Sequence, residues 1–529
     1  MKAALVFVPF CFDLPTYVPI GIASIKSYVQ SHSRHSITCY DFNQEFFIRA
    51  LVRKEAYLRA LGREGKDGRA FQRILALFAK RRGIAQDLFS CLKQQGADYR
   101  QQCVIRHLLH SFYFPLEHCI IEAAKQAIEN RNYRNADTII GPYRRMLLEG
   151  SAGLFGFSLF EARQVPFAIL LARSLARASR KKIAFGGGVI SRMGKEEKVR
   201  FLERFGFIDY LIEKEGEEAF LGLLNGQDPD AIPNLTYRKN GLIVQSSLSK
   251  GVEAMNRLPA PDYSDFKLRN YVTPVPVLLF STSRNCPWNK CIFCRTRVDF
   301  NRGFRQKKVS QVAQEIQQLR KKHNVSCFFF VDASMQAAYA KTLAARIIRK
   351  KLTIRYGVMM RCQKELTHKR FVQRLYDSGC RYILFGVETL MPRLSRLINK
   401  GIEVRDVEKI LLNCKERGIY CHFTMIFGLP SQTVQDMRRE IAILRSLCER
   451  FDFTCEINRL GIDPGTILHE RRNQYLKLPG KRMDSRALAR IIAKANLALN
   501  KDRSFRLVRL DDIFLVSINS CLSQGKDRL

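Results

Sequence analysis

Ser283-Arg284-Asn285-Cys286-Pro287-Trp288-Asn289-Lys290-Cys291-Ile292-Phe293-Cys294 sets three thiols within nine residues, just after the apolar run Val277–Ser281. A strand followed by a cysteine loop can present three thiolates to three irons of a 4Fe–4S cluster. Such clusters usually take four cysteine ligands, so a missing fourth leaves one iron open to another ligand. Arg284, Lys290, Arg295 and Arg297 lie close in sequence and would offset the negative charge of thiolate and sulfide. Zinc is the competing metal, but its structural sites need four protein ligands. No histidine or cysteine occurs in the 25 residues after Cys294, so zinc would need a distant partner.

Outward from the loop, the chain alternates strand and helix about six times. The candidate strands are Val277–Ser281, Cys327–Val331, Tyr356–Met360, Tyr382–Phe385, His422–Phe427 and Thr454–Ile457. Repeated right-handed strand–helix units build a parallel sheet, open or curled into a barrel. Catalytic groups then gather at the C-terminal ends of the strands. That rule selects the cysteine loop, Asp332, Arg361, Glu388 and the Gly428-Leu429-Pro430 turn. Each also has a plainer reading. Asp332 and Glu388 suit helix N-termini, Arg361 could pair a structural acid, and Gly428 could serve the turn alone.

Upstream, residues 3–9 read as a strand, Pro19–Val29 as a helix and Ser36–Asp41 as a strand. This is the opening of a doubly wound sheet. Residues 44–149 carry apolar residues three and four apart, as in Ile74–Phe78 and Cys119–Ala124, and read as a helical insertion. Alternation resumes with strands at Gly153–Ser158, Lys182–Phe185 and Tyr210–Ile212. Residues 228–270 are punctuated by proline and asparagine and read as a connection, with Leu258-Pro259-Ala260-Pro261 its clearest signature. The domain expectation is residues 1–250, a linker at 251–272, a barrel at 273–480 and an extension at 481–529 with a helix near 484–500 and an apolar stretch, Ile513–Val516.

The length of 529 residues fits two or three cores. No apolar run approaches the roughly 18 residues of a membrane helix. The N-terminal apolar run stops at Pro9 and lacks a small-residue cleavage site, so a cytoplasmic protein is expected. Sixteen cysteines are too few for a disulfide scaffold, and most sit singly in apolar contexts, where free cysteine packs as a small hydrophobe. The net charge of +40 attracts polyanions. It points to an anionic or acidic-peptide partner, with nucleic acid the less favoured polyanion because no nucleic-acid motif accompanies the charge.

Three clustered cysteines with Phe293 before the last, heading a strand–helix barrel, resemble the radical S-adenosylmethionine (SAM) superfamily. The family's usual gaps are three and two residues; here they are four and two. The resemblance continues through Phe329-Phe330-Val331-Asp332, Met360-Arg361, Leu384-Phe385-Gly386-Val387-Glu388-Thr389, Lys400-Gly401 and Gly428-Leu429-Pro430-Ser431-Gln432-Thr433. In the last of these Ser431 and Gln432 replace the usual Gly and Glu. Residues 1–250 resemble the cobalamin-binding domain that precedes many such barrels. The matching pieces are Pro19-Ile20-Gly21, Tyr40-Asp41, Gly156-Phe157-Ser158, Gly186-Gly187-Gly188 and Glu215-Gly216-Glu217. No histidine here has the Asp-x-His-x-x-Gly context that ligates cobalt in other cobalamin domains.

The resemblance implies an α/β chain: a Rossmann-like domain with a helical insertion, then a partial (β/α)6 TIM-like barrel. It implies a 4Fe–4S cluster on Cys286, Cys291 and Cys294, and SAM near Phe293, Asp332, Arg361, Glu388 and Gly428. It implies cobalamin near Gly21, Asp41, Ser158, Gly186, Gly187, Gly188 and Glu215. An electron donor such as flavodoxin or ferredoxin follows, because SAM is cleaved reductively to a 5′-deoxyadenosyl radical. The expected activity is methyl transfer to an unactivated carbon of a peptide or small natural product. Radical cyclisation, oxidation or rearrangement without methyl transfer stands as the alternative. A basic iron–sulfur protein that binds nucleic acid or modifies tRNA stands behind it.

Overall fold

A computed structural model of the chain describes residues 1–11, 15–52, 113–133, 136–179, 181–271, 273, 275–300, 303–476 and 484–499. The chain divides into two compact units. One is Met1–Glu253 with Arg257–Pro274; the other is Ala254–Asn256 with Val275–Leu529.

The first unit is built on a seven-stranded sheet ordered β2 (Ser36–Asp41), β1 (Lys2–Phe7), β3 (Leu154–Ser158), β4 (Lys182–Gly186), β5 (Tyr210–Ile212), β6 (Leu235–Lys239) and β7 (Leu242–Gln245). Strands β1 (Lys2–Phe7), β2 (Ser36–Asp41), β3 (Leu154–Ser158), β4 (Lys182–Gly186) and β5 (Tyr210–Ile212) are parallel neighbours. The order reverses between β1 and β3, the topological switch point of a doubly wound sheet. Helix Val165–Ala178 buries Phe167, Ala168, Leu170, Leu171 and Leu175, because helices Phe114–Glu129 and Ala136–Leu148 of the insertion pack on it from outside. A helix apolar on nearly every face belongs between layers. Cys119–Ala124 lies in one of these insertion helices, whereas Ile74–Phe78 lies outside the described residues.

The chain at 228–270 is more than a connection. Strands β6 (Leu235–Lys239) and β7 (Leu242–Gln245) form an antiparallel hairpin that extends the sheet beyond β5. Asn240 and Gly241 both take positive φ, 51° and 81°. That is the backbone a two-residue hairpin turn needs, and Asn-Gly is its commonest sequence. Further on, Lys26 is held between Asp265 at 2.7 Å and Asp262 at 3.5 Å. Burial lowers the proton affinity of Lys26, but the two carboxylates outweigh it, so the lysine holds its proton more tightly than usual.

The second unit is a parallel sheet of six strands in sequence order: β8 (Val277–Phe280), β11 (Cys327–Phe330), β12 (Arg355–Met360), β13 (Cys380–Glu388), β14 (Tyr420–Phe427) and β15 (Phe453–Arg459). A helix follows nearly every strand, as in a partial TIM-like barrel. The six strands expected from the sequence are all present. A two-stranded ribbon, β9 (Ser283–Arg284) with β10 (Arg305–Gln306), frames the cysteine loop. The edge of β15 is covered by helix Ser485–Leu499, where Asn496 donates to the Ile457 carbonyl at 2.9 Å and accepts from its N–H at 2.8 Å. The segment Ile513–Val516 lies outside the described residues.

Candidate functional site

The cysteine loop leaves β8 through a turn fixed by Asp332, which sits two residues beyond the end of β11 and is 1% exposed. Its Oδ1 accepts from the Thr282 N–H at 2.8 Å, the Ser283 N–H at 2.6 Å and the Ser283 hydroxyl at 3.0 Å. Its Oδ2 accepts from the Thr282 hydroxyl at 2.7 Å. Asp332 therefore grips the root of the loop rather than capping a helix. Burial raises its carboxyl's pKa, against the pull of these donors. Beyond the turn, Asn285 and Asn289 take positive φ, 67° and 45°, a conformation asparagine tolerates better than most residues. The Asn285 side chain accepts from the Cys286 N–H at 2.8 Å. Ile292 pins the far side of the loop in an apolar cluster with Leu394, Ile398, Leu429 and Leu468, and Phe293 packs against it.

The thiols meet two cations. Cys291 is buried, and burial pushes its thiol up to about 11, against the attraction of Lys400 and Arg361. Lys400 lies 5.9 Å over the Phe293 ring and pairs with Glu388 at 2.9 Å. Burial lowers the proton affinity of Lys400, but Glu388 and the neighbouring Cys291 and Cys294 outweigh it, so the lysine holds its proton more tightly than usual. Arg361 is drawn down by burial and up by Cys291 and Cys286. Glu388 reaches Lys400 from a distorted strand end: its φ is 68° and the β13–β14 register shifts between Gly386 and Glu388. A Cβ at Gly386 would fall 2.7 Å from the Glu388 carboxylate and 2.9 Å from the Lys400 ammonium, so glycine there makes room for the ion pair. Cys286, Cys291, Cys294, Phe293, Arg361, Glu388 and Lys400 thus form one neighbourhood.

In the first unit, Asp41, Ser158, Gly186 and Glu215 lie at or just beyond the C-terminal ends of β2, β3, β4 and β5, and Gly21 opens the helix after β1. That is the edge at which doubly wound sheets bind ligands. Their side chains are not equally open. Asp41 caps helix Phe42–Val52, accepting from Asn43 and Gln44 at 3.0 and 3.1 Å, and accepts from the Tyr271 hydroxyl at 2.6 Å. Glu215 is buried. Each glycine of the run has protein at its Cβ position. A Cβ at Gly187 would fall 2.5 Å from the Leu159 carbonyl, and one at Gly188 would fall 2.9 Å from the Arg192 guanidinium. Gly21, with nothing near its Cβ position, is exposed to an approaching group.

The sequence of residues 280–443 matches the Radical SAM superfamily. These residues are a radical SAM domain. Among curated sequences, the chain is 25% identical over 247 residues to an uncharacterised methyltransferase of Pyrococcus horikoshii, 45% of this chain and 53% of that protein. It is 22% identical over 253 residues to the anaerobic magnesium-protoporphyrin IX monomethyl ester cyclase of Rubrivivax gelatinosus, 45% of each. The chain thus spans about half the length of the curated relatives it matches. Among solved structures, the radical SAM methyltransferase TsrM of Kitasatospora setae, with tryptophan substrate and a SAM analogue bound, superposes with a TM-score of 0.59 at 16% identity. The match covers 89% of this chain and 76% of TsrM. The cobalamin-dependent SAM radical enzyme OxsB, with aqua-cobalamin and SAM bound, gives 0.55 at 13% identity, over 90% of this chain and 56% of OxsB. At these identities the likeness is one of fold.

One residue of the radical SAM domain escaped sequence reasoning. Glu440 is fully buried and ties two catalytic-edge loops together. Its Oε1 accepts from the Thr389 hydroxyl at 2.5 Å and the Leu390 N–H at 2.7 Å, just past β13. Its Oε2 accepts from the Gln432 amide at 2.8 Å, just past β14. Gln432 in turn accepts from the Gly428 and Leu429 N–H groups at 2.7 and 3.2 Å. A glutamate at 432 would set two carboxylates against each other; the amide bonds both ways. Gly428 has φ 88° and its Cβ position lies 2.9 Å from Leu488, so it serves the turn. The signal for Glu440 was present: an acid inside the buried stripe Met437, Leu444, Leu447 of helix Val434–Arg450.

Proposed function

We propose that the chain is a cobalamin-dependent radical SAM enzyme that transfers a methyl group to an unactivated carbon of a peptide or small natural-product substrate. The observation that carries the radical half is the grouping of three thiols with Arg361 and Lys400 at the C-terminal end of the first strand of a β/α sheet. The residues suit the cluster chemically. Among the described residues no three His, Cys, Asp or Glu side chains are arranged to hold one metal ion; in a cluster each thiolate bonds a different iron. A buried lysine and a half-buried arginine beside the thiols favour their ionised form and offset the added charge of the sulfides. Cys286, Cys291 and Cys294 would hold the cluster, which when bound supplies the electron that cleaves SAM. Phe293, Arg361 and the Glu388–Lys400 pair would border SAM, whose carboxylate suits the Arg361 fork. Asp332 and Gly428 act one step back, on the loops.

The methyl-transfer half rests on the doubly wound first unit, on the fold shared with TsrM and OxsB, and on methyltransferase relatives. Gly21 and Ser158 are the positions of the expected set best placed to meet a corrin. The cyclase relative supports a second reading, radical chemistry without methyl transfer. The +40 charge supports an anionic or acidic-peptide partner and a flavodoxin-like, acidic electron donor.

The test is anaerobic reconstitution of the full chain with iron, sulfide, cobalamin, SAM and a reductant. We expect 5′-deoxyadenosine from the native chain, none from Cys291→Ala, and a corrin absorbance that stays with the protein through gel filtration. Absence of 5′-deoxyadenosine overturns the radical reading. Its presence without retained corrin turns the assignment to the cyclase-type alternative.

A further inference from the structure

The four-residue gap between Cys286 and Cys291 contains Trp288, and its indole is docked on three sides. The indole Nε1–H donates to the Asn399 carbonyl at 2.8 Å. The Arg361 guanidinium lies 4.1 Å from the ring centroid, within cation–π range. The third side is Gly401, whose φ is 65° and whose missing Cβ would fall 2.0 Å from the indole Cζ2. Arg361 also donates to the Gly401 carbonyl, so the guanidinium is fixed by both members of the stack. Gly401 follows Lys400, the partner of Glu388, so the turn that seats the indole also carries the second cation of the site.

We propose that Trp288 is a positioning residue: it clamps the enlarged gap of the cysteine loop onto the Asn399–Gly401 turn and holds the Arg361 guanidinium beside Cys286 and Cys291. The proposal rests on the cluster reading above. A loop with one more residue has more conformations to lose before its thiols converge, and that entropy has to be offset by a contact. The indole supplies one, with a donor, a flat face and a cavity that only glycine leaves open. The second consequence is electrostatic. A guanidinium held against two ligand thiolates stabilises the more negative, reduced cluster over the oxidised one, and so raises its reduction potential.

The experiment compares the wild-type full chain with Trp288→Ala, Trp288→Phe and Arg361→Gln, each reconstituted anaerobically without SAM. Midpoint potentials come from redox titration followed by electron paramagnetic resonance. Rates of alkylation of Cys286 and Cys291 in the iron-free chains come from peptide mass spectrometry, with Cys327 as the internal standard. We expect Trp288→Ala and Arg361→Gln both to lower the potential. Trp288→Phe keeps a face for the guanidinium but not the N–H, and falls between. In the iron-free chain Trp288→Ala exposes the loop, and the two thiols react roughly tenfold faster while Cys327 does not change. Potentials and alkylation rates equal to wild type in Trp288→Ala overturn the clamp. If the wild-type chain takes up no iron, the cluster reading fails instead, and the alkylation rates alone decide the clamp.

Discussion

Asp332 shows how little a residue's type says about its duty. The acid at the end of the second barrel strand was legible, and so was its place near the cysteine loop. The donors it satisfies were not, because Thr282 and Ser283 are about fifty residues away in sequence. Replacing it with alanine strands two backbone N–H groups in a buried turn. We expect Asp332→Ala to lower stability by roughly 2–4 kcal/mol, read as a shift of the urea midpoint, and to reduce iron uptake. Asp41 makes the opposite lesson in the first unit. Its carboxyl is raised by burial from 3.8 to about 6, although Tyr271, Gln44 and Asn43 pull it down. Between those two values the folded chain holds the proton that the unfolded chain has lost, so stability falls as pH rises. The contribution is complete below 3.8 and gone above 6, and amounts to at most roughly 3 kcal/mol. The difference in unfolding free energy between wild type and Asp41→Asn, measured from about pH 4 to about pH 7, should show this slope. A flat difference would refute it.

At the scale of elements, the strands were legible because both faces of a parallel sheet are covered, so each strand is a short continuous apolar run. The hairpin β6–β7 was not, because Asn240-Gly241 was counted as loop punctuation. Its flanking residues alternate only loosely, and Leu242 points to solvent. The covering of β15 was half legible. A helix near 484–500 could be read from its spacing, but not that Asn496 would take the place of a neighbouring strand. Its amide satisfies one N–H and one carbonyl of Ile457 on an edge that has no further strand among the described residues. We expect Asn496→Leu, which keeps the apolar packing, to cost about 1–3 kcal/mol in urea unfolding. It should also raise light scattering on storage, as an unpaired strand edge invites pairing between chains.

At the scale of the whole molecule, the class of each half was legible from topology alone. Strand, helix and strand in order dictate a doubly wound sheet in one unit and a curled parallel sheet in the other. What sequence could not supply was the distinction between a glycine that greets a ligand and one that greets its own chain. Gly186, Gly187 and Gly188 read as one run in sequence, yet their Cβ positions face Ile212, Leu159 and Arg192 in turn. Gly386 and Gly401, by contrast, make room for an ion pair and for an indole, and so shape the site indirectly. Among the described residues no helix is long and apolar enough to cross a membrane.

Trp288 is the sole tryptophan among 529 residues. Ultraviolet light absorbed at the red edge of the protein band is therefore re-emitted from one indole, which stands in sequence between Cys286 and Cys291, two of the three cysteines proposed to hold the cluster. Iron–sulfur centres absorb across the range in which indole emits. Filling the site should darken the protein's intrinsic fluorescence, so that loading, loss and oxidative decay of the centre can be followed by eye of the spectrometer alone, without label or engineered probe.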